Sequence, residues 1–220
     1  YNVWKEYLAS LGYTTFDGLI NPSNIKFPQS RSRFFALSVL NYEGTKSNNV
    51  SIFEHIKEYR KNEFPKYPSL AKCLKTNYEG VKNIKYLLEA LESTPNHTES
   101  RLKMFENERA LTNGKGNPLR DSKNKFNYCS TITTKQDRWH NAGVVNFTRK
   151  MFEDGSNSTH RLITPRESFL LMGYKEKQFN RLEANNIPSA ELYKMAGNSI
   201  IVPVLELIFE TFILSDYLGE

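Results

Sequence analysis

Apolar positions along this chain recur with two periods, and the changes of period mark out its elements. Val3, Trp4, Leu8 and Leu11 share one face of a helix, and Gly12 follows as a C-cap. Residues 14–20 and 34–40 are apolar runs with the length of strands. Asn21-Pro22-Ser23-Asn24 turns the chain between them, so a hairpin with a long polar connection is expected. Residues 41–49 are polar and turn-rich and mark a boundary. Helical spacing resumes at Ile52, Phe53, Ile56 and Tyr59, then over 70–74 and 81–91. Stretches 93–100 and 112–125 carry Pro, Gly and Asn and are expected as loops, as is 153–159. Residues 128–134 and 144–148 are expected as strands. Ile200, Ile201, Val204, Leu205, Ile208, Phe209 and Phe212 make a helical stripe near the end. No internal repeat is present.

Composition narrows the class. The 220 residues are 39% hydrophobic and 13% aromatic, enough to bury a core. No apolar run approaches the roughly 18–20 residues of a membrane helix, and the N-terminus lacks the pattern of a secretion signal. A soluble intracellular protein without a membrane partner is expected. Cys73 and Cys129 offer neither a disulfide framework nor metal-ligand spacing, so they are expected as small buried hydrophobes and no metal is expected.

Charge adds a direction. Lys and Arg number 30 against 24 Asp and Glu, a net of +6. Between 113 and 150 eight cations face Asp121 and Asp137, so that segment alone carries +6 and the remainder sums to zero. A concentrated basic patch favours a polyanionic partner through counterion release. A solvated basic surface fits the charge alone equally well.

Three local sequences carry candidate chemistry. Phe27-Pro28-Gln29-Ser30-Arg31-Ser32-Arg33 places an amide and two guanidiniums between the first two strands. A guanidinium presents a planar fork of donors suited to a phosphate or a base carbonyl. Arg161-Leu162-Ile163-Thr164-Pro165-Arg166-Glu167 runs on to Leu171-Met172-Gly173-Tyr174. Thr164 is an N-cap there, Pro165 suits the first helical position, Glu167 completes a capping box, and Gly173 ends a short helix. In Tyr193-Lys194-Met195-Ala196-Gly197-Asn198-Ser199-Ile200-Ile201-Val202-Pro203, the Gly-Asn-Ser step is expected as a turn opening the terminal helix, with free N–H groups and the Asn and Ser side chains for a small polar ligand. Each alone also fits a structural role: a basic turn, a capped helix, an N-cap.

In this order the three segments resemble the C-terminal motifs of the carbon-5 cytosine DNA methyltransferases. That family has a Gln-x-Arg-x-Arg element, a variable target-recognition domain, an Arg-x-Leu-Thr-Pro-Arg-Glu element, and a Tyr-Lys-x-x-Gly-Asn-Ser/Ala element. The likeness leaves only about residues 44–125 unmatched. Ser130-Thr131-Ile132-Thr133-Thr134 resembles the Thr-Leu/Ile step of the family's recognition domains, with Lys135, Arg138 and Trp139 close behind.

The resemblance implies an α/β fold: a partial S-adenosylmethionine-dependent methyltransferase sheet with an inserted small α+β target-recognition domain. Residues 1–42 would be the last strands of the catalytic domain, 43–160 the recognition domain, and 161–220 the return segment with its terminal helix. It implies that Arg33 donates to the flipped cytosine, with Arg31 and Gln29 organising that pocket. Asn198, Ser199 and Gly197 would touch the S-adenosylmethionine cofactor. Thr131, Thr133, Lys135 and Arg138 would face double-stranded DNA, and Arg166 and Glu167 would hold the recognition domain in place. The setting implied is a bacterial cytoplasm, in a restriction–modification system.

Carbon 5 of cytosine is a poor nucleophile until a thiolate adds at carbon 6, and the family draws that thiolate from a Pro-Cys-Gln loop. The base must first be flipped from the duplex. This chain has no Pro-Cys dipeptide, no Glu-Asn-Val and no Gly-rich cofactor turn. Alone it is expected to be inactive, with an incomplete cofactor site. The expected partner is an N-terminal catalytic half, on the same or a separate polypeptide, docking on an exposed apolar face. The start within a helix, without Met, favours a fragment. The alternatives are a non-catalytic DNA-binding module, a subunit of a split enzyme, an RNA methyltransferase of the same family, and a basic α+β protein with chance motifs.

Overall fold

Asn2–Ser10 forms α1, which closes through Leu11 into Gly12 at φ +87, a left-handed turn that glycine adopts without a Cβ penalty. Tyr13–Ile20 (β1) then pairs antiparallel with Arg33–Leu40 (β2), Tyr13 opposite Leu40 and Ile20 opposite Arg33. Their connection opens with a single 3-10 turn, Pro22–Ile25, whose cap is the Asn21 side chain accepting from the Ser23 N–H. The computed structural model describes residues 1–44, 50–95, 98–100, 103, 110–111, 128–135, 142–149 and 158–214.

The middle of the chain contributes α2 (Ile52–Tyr59), which buries Ile52 and Ile56 one turn apart, then the single-turn α3 (Leu70–Cys73) and α4 (Ile84–Glu92). Val145–Arg149 (β3) pairs antiparallel with Ser158–Arg161 (β4). The last third is helical: α5 (Pro165–Leu171), α6 (Glu176–Glu183), α7 (Ser189–Asn198) and α8 (Val202–Phe209), which runs on into a wider π-type turn, Glu210–Leu214. Among the described residues the strands thus form two separate two-stranded ladders.

One apolar core joins the two ends. Phe16 of β1, Ile52 and Ile56 of α2, Ile132, Phe169 of α5 and Leu207 of α8 belong to the same buried cluster. The Phe16 and Phe212 rings lie 4.6 Å apart, and His55 stacks on Phe212 at 4.5 Å. Gly173, at φ +91, lets the end of α5 meet the start of α8: a Cβ there would lie 2.2 Å from Pro203 Cδ.

Three expectations are corrected. Residues 128–134 form no ladder among the described residues. They make one parallel bridge, Gln29 to Cys129, because their partner is the loop before β2 and not a strand. Ser158 and Thr159, expected in a loop, belong to β4. An apolar stretch of membrane length does exist, Ser189–Phe212, 24 residues. It is interrupted between α7 and α8, and Val204, Leu207 and Ile208 are buried in the core.

Candidate functional site

The loop between Phe27 and Arg33 is where the separate motifs meet. Phe27 is buried and anchors one end. Gln29 is fully buried and donates from Nε2 to the Leu171 carbonyl at 2.6 Å, which ties the loop to the end of α5. The Ser30 N–H donates to the Cys129 carbonyl at 2.8 Å, and the Cys129 N–H returns to Pro28 at 3.0 Å. Thr131 Oγ1 donates to the Ser30 carbonyl at 3.0 Å. Arg31 completes the set: one terminal nitrogen donates to the Ile132 carbonyl and the other to Gly197 O at 2.6 Å, with Ser199 O at 3.5 Å. Burial, then the neighbouring Arg33 charge, lowers the Arg31 pKa from its ordinary value.

The Gly-Asn-Ser corner differs from its expected form. Gly197 and Asn198 end α7, and α8 starts only at Val202. Pro203 lies in the first turn of α8, where its missing N–H is harmless, and so fixes the start of α8 beside it. The corner therefore offers carbonyls and not free N–H groups. The Ser199 N–H and Oγ are both taken up by the Ala196 carbonyl, at 3.2 and 2.9 Å. A cation at a helix C-terminus is favoured by the orphan carbonyls and the dipole, and Arg31 supplies it. Gly197 is needed for a further reason: a Cβ on it would lie 2.4 Å from Thr134 N and 2.6 Å from Thr133 C.

Beside this junction lies a cavity of about 660 Å³ whose walls include Thr134, Lys135, Leu162, Tyr193, Lys194 and Asn198. Tyr193 is fixed by donating to the Ile163 carbonyl at 2.7 Å, and burial raises its pKa. Asn198 and Lys135 are exposed.

The structure thus brings Gln29, Arg31, Thr131, Gly197 and Ser199 into one cluster. Arg33 sits just outside it, exposed, with its guanidinium donating to its neighbour's carbonyl, Ser32 O, at 2.7 Å. Thr133 Oγ1 donates to the Lys135 carbonyl at 2.8 Å. Arg138 and Trp139 lie outside the described residues, as do Lys115, Arg120, Lys123, Lys125 and Lys150. Both thiols are buried, and burial pushes that of Cys73 up to about 12, which holds it as the unreactive thiol at neutral pH.

A second cluster holds the frame of the site, and sequence reasoning found only part of it. The capping box is present, with Thr164 accepting from the Glu167 N–H and Glu167 accepting from the Thr164 N–H. The same carboxylate receives two bonds from Arg161 at 2.8 Å and one from the Lys75 N–H at 2.7 Å. Arg161 also donates to the Tyr78 hydroxyl at 3.1 Å. Arg166 lies over the Phe179 ring and reaches Glu89, Glu176 and Glu183 at 2.7, 2.8 and 2.8 Å. Lys75, Tyr78 and Glu89 come from the middle of the chain, between the motifs, and carry no local motif. The signal available for Arg161 was its spacing from Glu167 within one motif.

The family model of C-5 cytosine-specific DNA methylases matches residues 1–213. The type II methyltransferase M2.ScrFI of Lactococcus lactis subsp. cremoris is 27% identical over 226 residues, covering 96% of this chain and 48% of that protein. The type II methyltransferase M.Bsp6I of a Bacillus species (strain RFL6) is 24% identical over 219 residues, covering 96% of this chain and 58% of its own length. The chain therefore spans about half the length of the curated relatives it matches. Among solved structures, the Dnmt2 methyltransferase of S. pombe superposes with a TM-score of 0.67 at 18% identity, over 100% of this chain and 63% of that one. That likeness carries the α/β methyltransferase fold.

Proposed function

Because the chain belongs to the C-5 cytosine-specific DNA methylase family, we propose that it is the C-terminal, DNA-reading part of a DNA (cytosine-5-)-methyltransferase, acting in a restriction–modification system. The observation that carries this reading is Arg31. Its guanidinium joins the segment expected to face DNA, at Ile132, to the corner expected to face the cofactor, at Gly197 and Ser199. Two stretches that have no reason to meet in a generic basic protein are held on one side chain.

The roles follow from what each side chain has left to offer. Arg33 is exposed beside the junction and donates to the flipped cytosine, helping to neutralise charge that develops on the ring. Gln29 and Arg31 are committed to protein carbonyls and shape the pocket. Lys135, with Arg138, meets the phosphate backbone, and Thr131 and Thr133 set the course of the segment that carries them. Residues 43–160 form the recognition domain, flanked by the catalytic-domain segments 1–42 and 161–220.

S-adenosylmethionine supplies the methyl group when bound. Of the three residues expected to touch it, Asn198 fits best: its side chain is exposed on the wall of the cavity. Gly197 and Ser199 give their carbonyls to Arg31, and Ser199 Oγ is bonded to Ala196. The chain thus offers one edge of a cofactor site, and the N-terminal catalytic half supplies the rest together with the nucleophilic thiolate. The exposed apolar side chains of α1 and the hairpin, with Val3 79% and Leu19 67% exposed, suit the docking of that half.

The test mixes this chain with a polypeptide carrying the Pro-Cys-Gln half, duplex DNA and methyl-labelled S-adenosylmethionine. Label on carbon 5 of cytosine, appearing only when both polypeptides are present, is the expected result. The second reading, a non-catalytic DNA-binding module, draws on the burial of both thiols. It predicts DNA binding with no transfer in the same mixture.

A further inference from the structure

We infer that Arg31 and Gly197 form a coupling joint that registers the DNA-facing segment 131–135 against the corner 197–199, so that DNA seated on the first sets the geometry of the second. This rests on the function proposed above and deepens it, giving Arg31 and Gly197 a shared positioning role.

The choice of partners around Arg31 is the first observation. The other two buried guanidiniums in the frame are neutralised: Arg161 by Glu167, and Arg166 by Glu89, Glu176 and Glu183. Arg31 is 6% exposed, yet among the described residues it has no carboxylate partner. Its bonds go to carbonyls at Ile132, Gly197 and Ser199, 101, 166 and 168 residues away. A guanidinium taken out of water without a counter-charge is costly, so this site is poorly explained as a stabilising device. What the bonds do achieve is geometric. The rigid planar fork fixes two carbonyls, from two remote segments, relative to each other.

Gly197 supplies the second observation, independent of charge. The backbone of Thr133 and Thr134 lies so close to the end of α7 that a Cβ on Gly197 would meet it at 2.4–2.6 Å. The obstacle is backbone, which has no rotamer to escape into. The segment is held from a third side as well, through Cys129 to Pro28 and Ser30 and through Thr131 to Ser30. Thr134, Lys135 and Asn198 then line one cavity. A displacement of the DNA-facing segment cannot occur without moving that cavity's wall, which is what coupling requires of a packed junction.

The experiment uses this chain together with the catalytic half, in three variants: Arg31→Met, Arg31→Lys and Gly197→Ala. For each, kcat and the KM for duplex DNA are measured separately, with discrimination between the cognate duplex and one carrying a single base substitution. Arg31→Met should lower kcat/KM for the cognate duplex and erode discrimination by roughly tenfold to a hundredfold, the rate scale expected when reacting groups are displaced by about 1 Å. Gly197→Ala should do the same although it removes no charge, and Arg31→Lys should restore part of the loss. A folded Arg31→Met enzyme with wild-type kcat/KM and discrimination overturns the proposal, and so does a loss of kcat that is equal for the cognate and the substituted duplex. Should Arg31→Met fail to fold, Arg31→Lys and Gly197→Ala decide: both unchanged overturns the joint. If the wild-type pair transfers no methyl group, the functional reading fails instead. The joint is then tested on this chain alone by amide exchange, where Arg31→Lys should accelerate 131–135 and 197–199 together. Acceleration of one segment without the other rejects it.

Discussion

Arg161 and Glu167 meet through two N–H···O bonds of 2.8 Å with neither side chain exposed to solvent. The carboxylate has two further donors, the backbone N–H groups of Lys75 and Thr164. This pair therefore staples β4, the start of α5 and the middle segment at one point. Removing one partner leaves the other charge buried and uncompensated. Glu167→Gln should therefore lose about 3–5 kcal/mol of stability in urea denaturation. Replacing both residues with apolar groups, Arg161→Met with Glu167→Leu, should lose less than the single change. Burial raises the Glu167 pKa, but Arg161 and the backbone donors outweigh it and hold the carboxyl below its ordinary value. A depressed folded-state pKa gives stability that is present above the unfolded value and lost as pH falls through the folded one. Acid unfolding of the wild type should therefore steepen below about pH 4, and the Glu167→Gln variant should lack that component.

Glu89 behaves in the opposite sense. Burial pushes its carboxyl up to about 7, against the attraction of Arg166. Arg166 is shared among three carboxylates, and Glu89 is the most enclosed of them, at 15% exposure against 36% and 45%. Between the ordinary carboxylate value and about 7 the folded chain binds more protons here than the unfolded chain. The contribution of this group is thus fully present at low pH and declines as pH rises through that window. Glu89→Gln should flatten the stability profile between about pH 4.5 and 7, measured by denaturation at constant ionic strength. An unchanged slope in that window would count against the burial argument.

What was legible in the sequence follows from where each signal resides. The helix from Asn2, the β1–β2 hairpin, α2 and the Thr164 capping box are local, set by periodicity and cap chemistry within a few residues. The helices α6 and α7 give weak periodic signals: α6 carries few apolar residues, Phe179 being its buried one, and α7 buries Leu192, Ala196 and Gly197, with the Gly-Asn-Ser step expected as a turn forming its end. The β-branched Thr131, Ile132, Thr133 and Thr134 give 128–134 the local character of a strand, while its partner is a loop more than 90 residues earlier. The same remoteness hid the bonds from Arg31 to Gly197 and from Glu167 to Lys75. A motif names the residues; only packing shows which of them remain available, and that separates the exposed Arg33 from the enclosed Arg31.

The apolar face of α1 and the hairpin makes a prediction about behaviour in solution. Val3, Trp4, Tyr7, Leu19 and Phe34 are all about half exposed or more; Leu19 and Phe34 are cross-strand partners in the hairpin, and α1 packs on β1. Patches of this kind drive association when they are left uncovered. This chain alone should elute from size exclusion as a concentration-dependent oligomer, and Val3→Glu with Tyr7→Lys should shift it toward monomer. The same double change should weaken capture of the catalytic half. A clean monomer at high concentration for the wild type counts against the docking surface.

Lys135 and Arg33 are both exposed cations near the junction, and the proposed function separates them by experiment. Lys135 stands beside Thr134 on the wall of the cavity, in the segment proposed to track the phosphate backbone. A phosphate contact is insensitive to sequence and releases counterions. Lys135→Ala should therefore weaken cognate and non-cognate DNA alike and reduce the slope of log K against log salt by about 1. Arg33 stands at the first position of β2 and donates only to Ser32 O among the described residues, which leaves its remaining donors for a base. Arg33→Ala should leave DNA affinity and the salt slope near wild type while kcat falls by roughly a hundredfold or more, the scale set by losing one donor to developing charge. Fluorescence anisotropy across a salt series and single-turnover methyl transfer measure the two separately. If Arg33→Ala lowers the salt slope and spares kcat, Arg33 is a backbone contact and the flipped base is held by other residues.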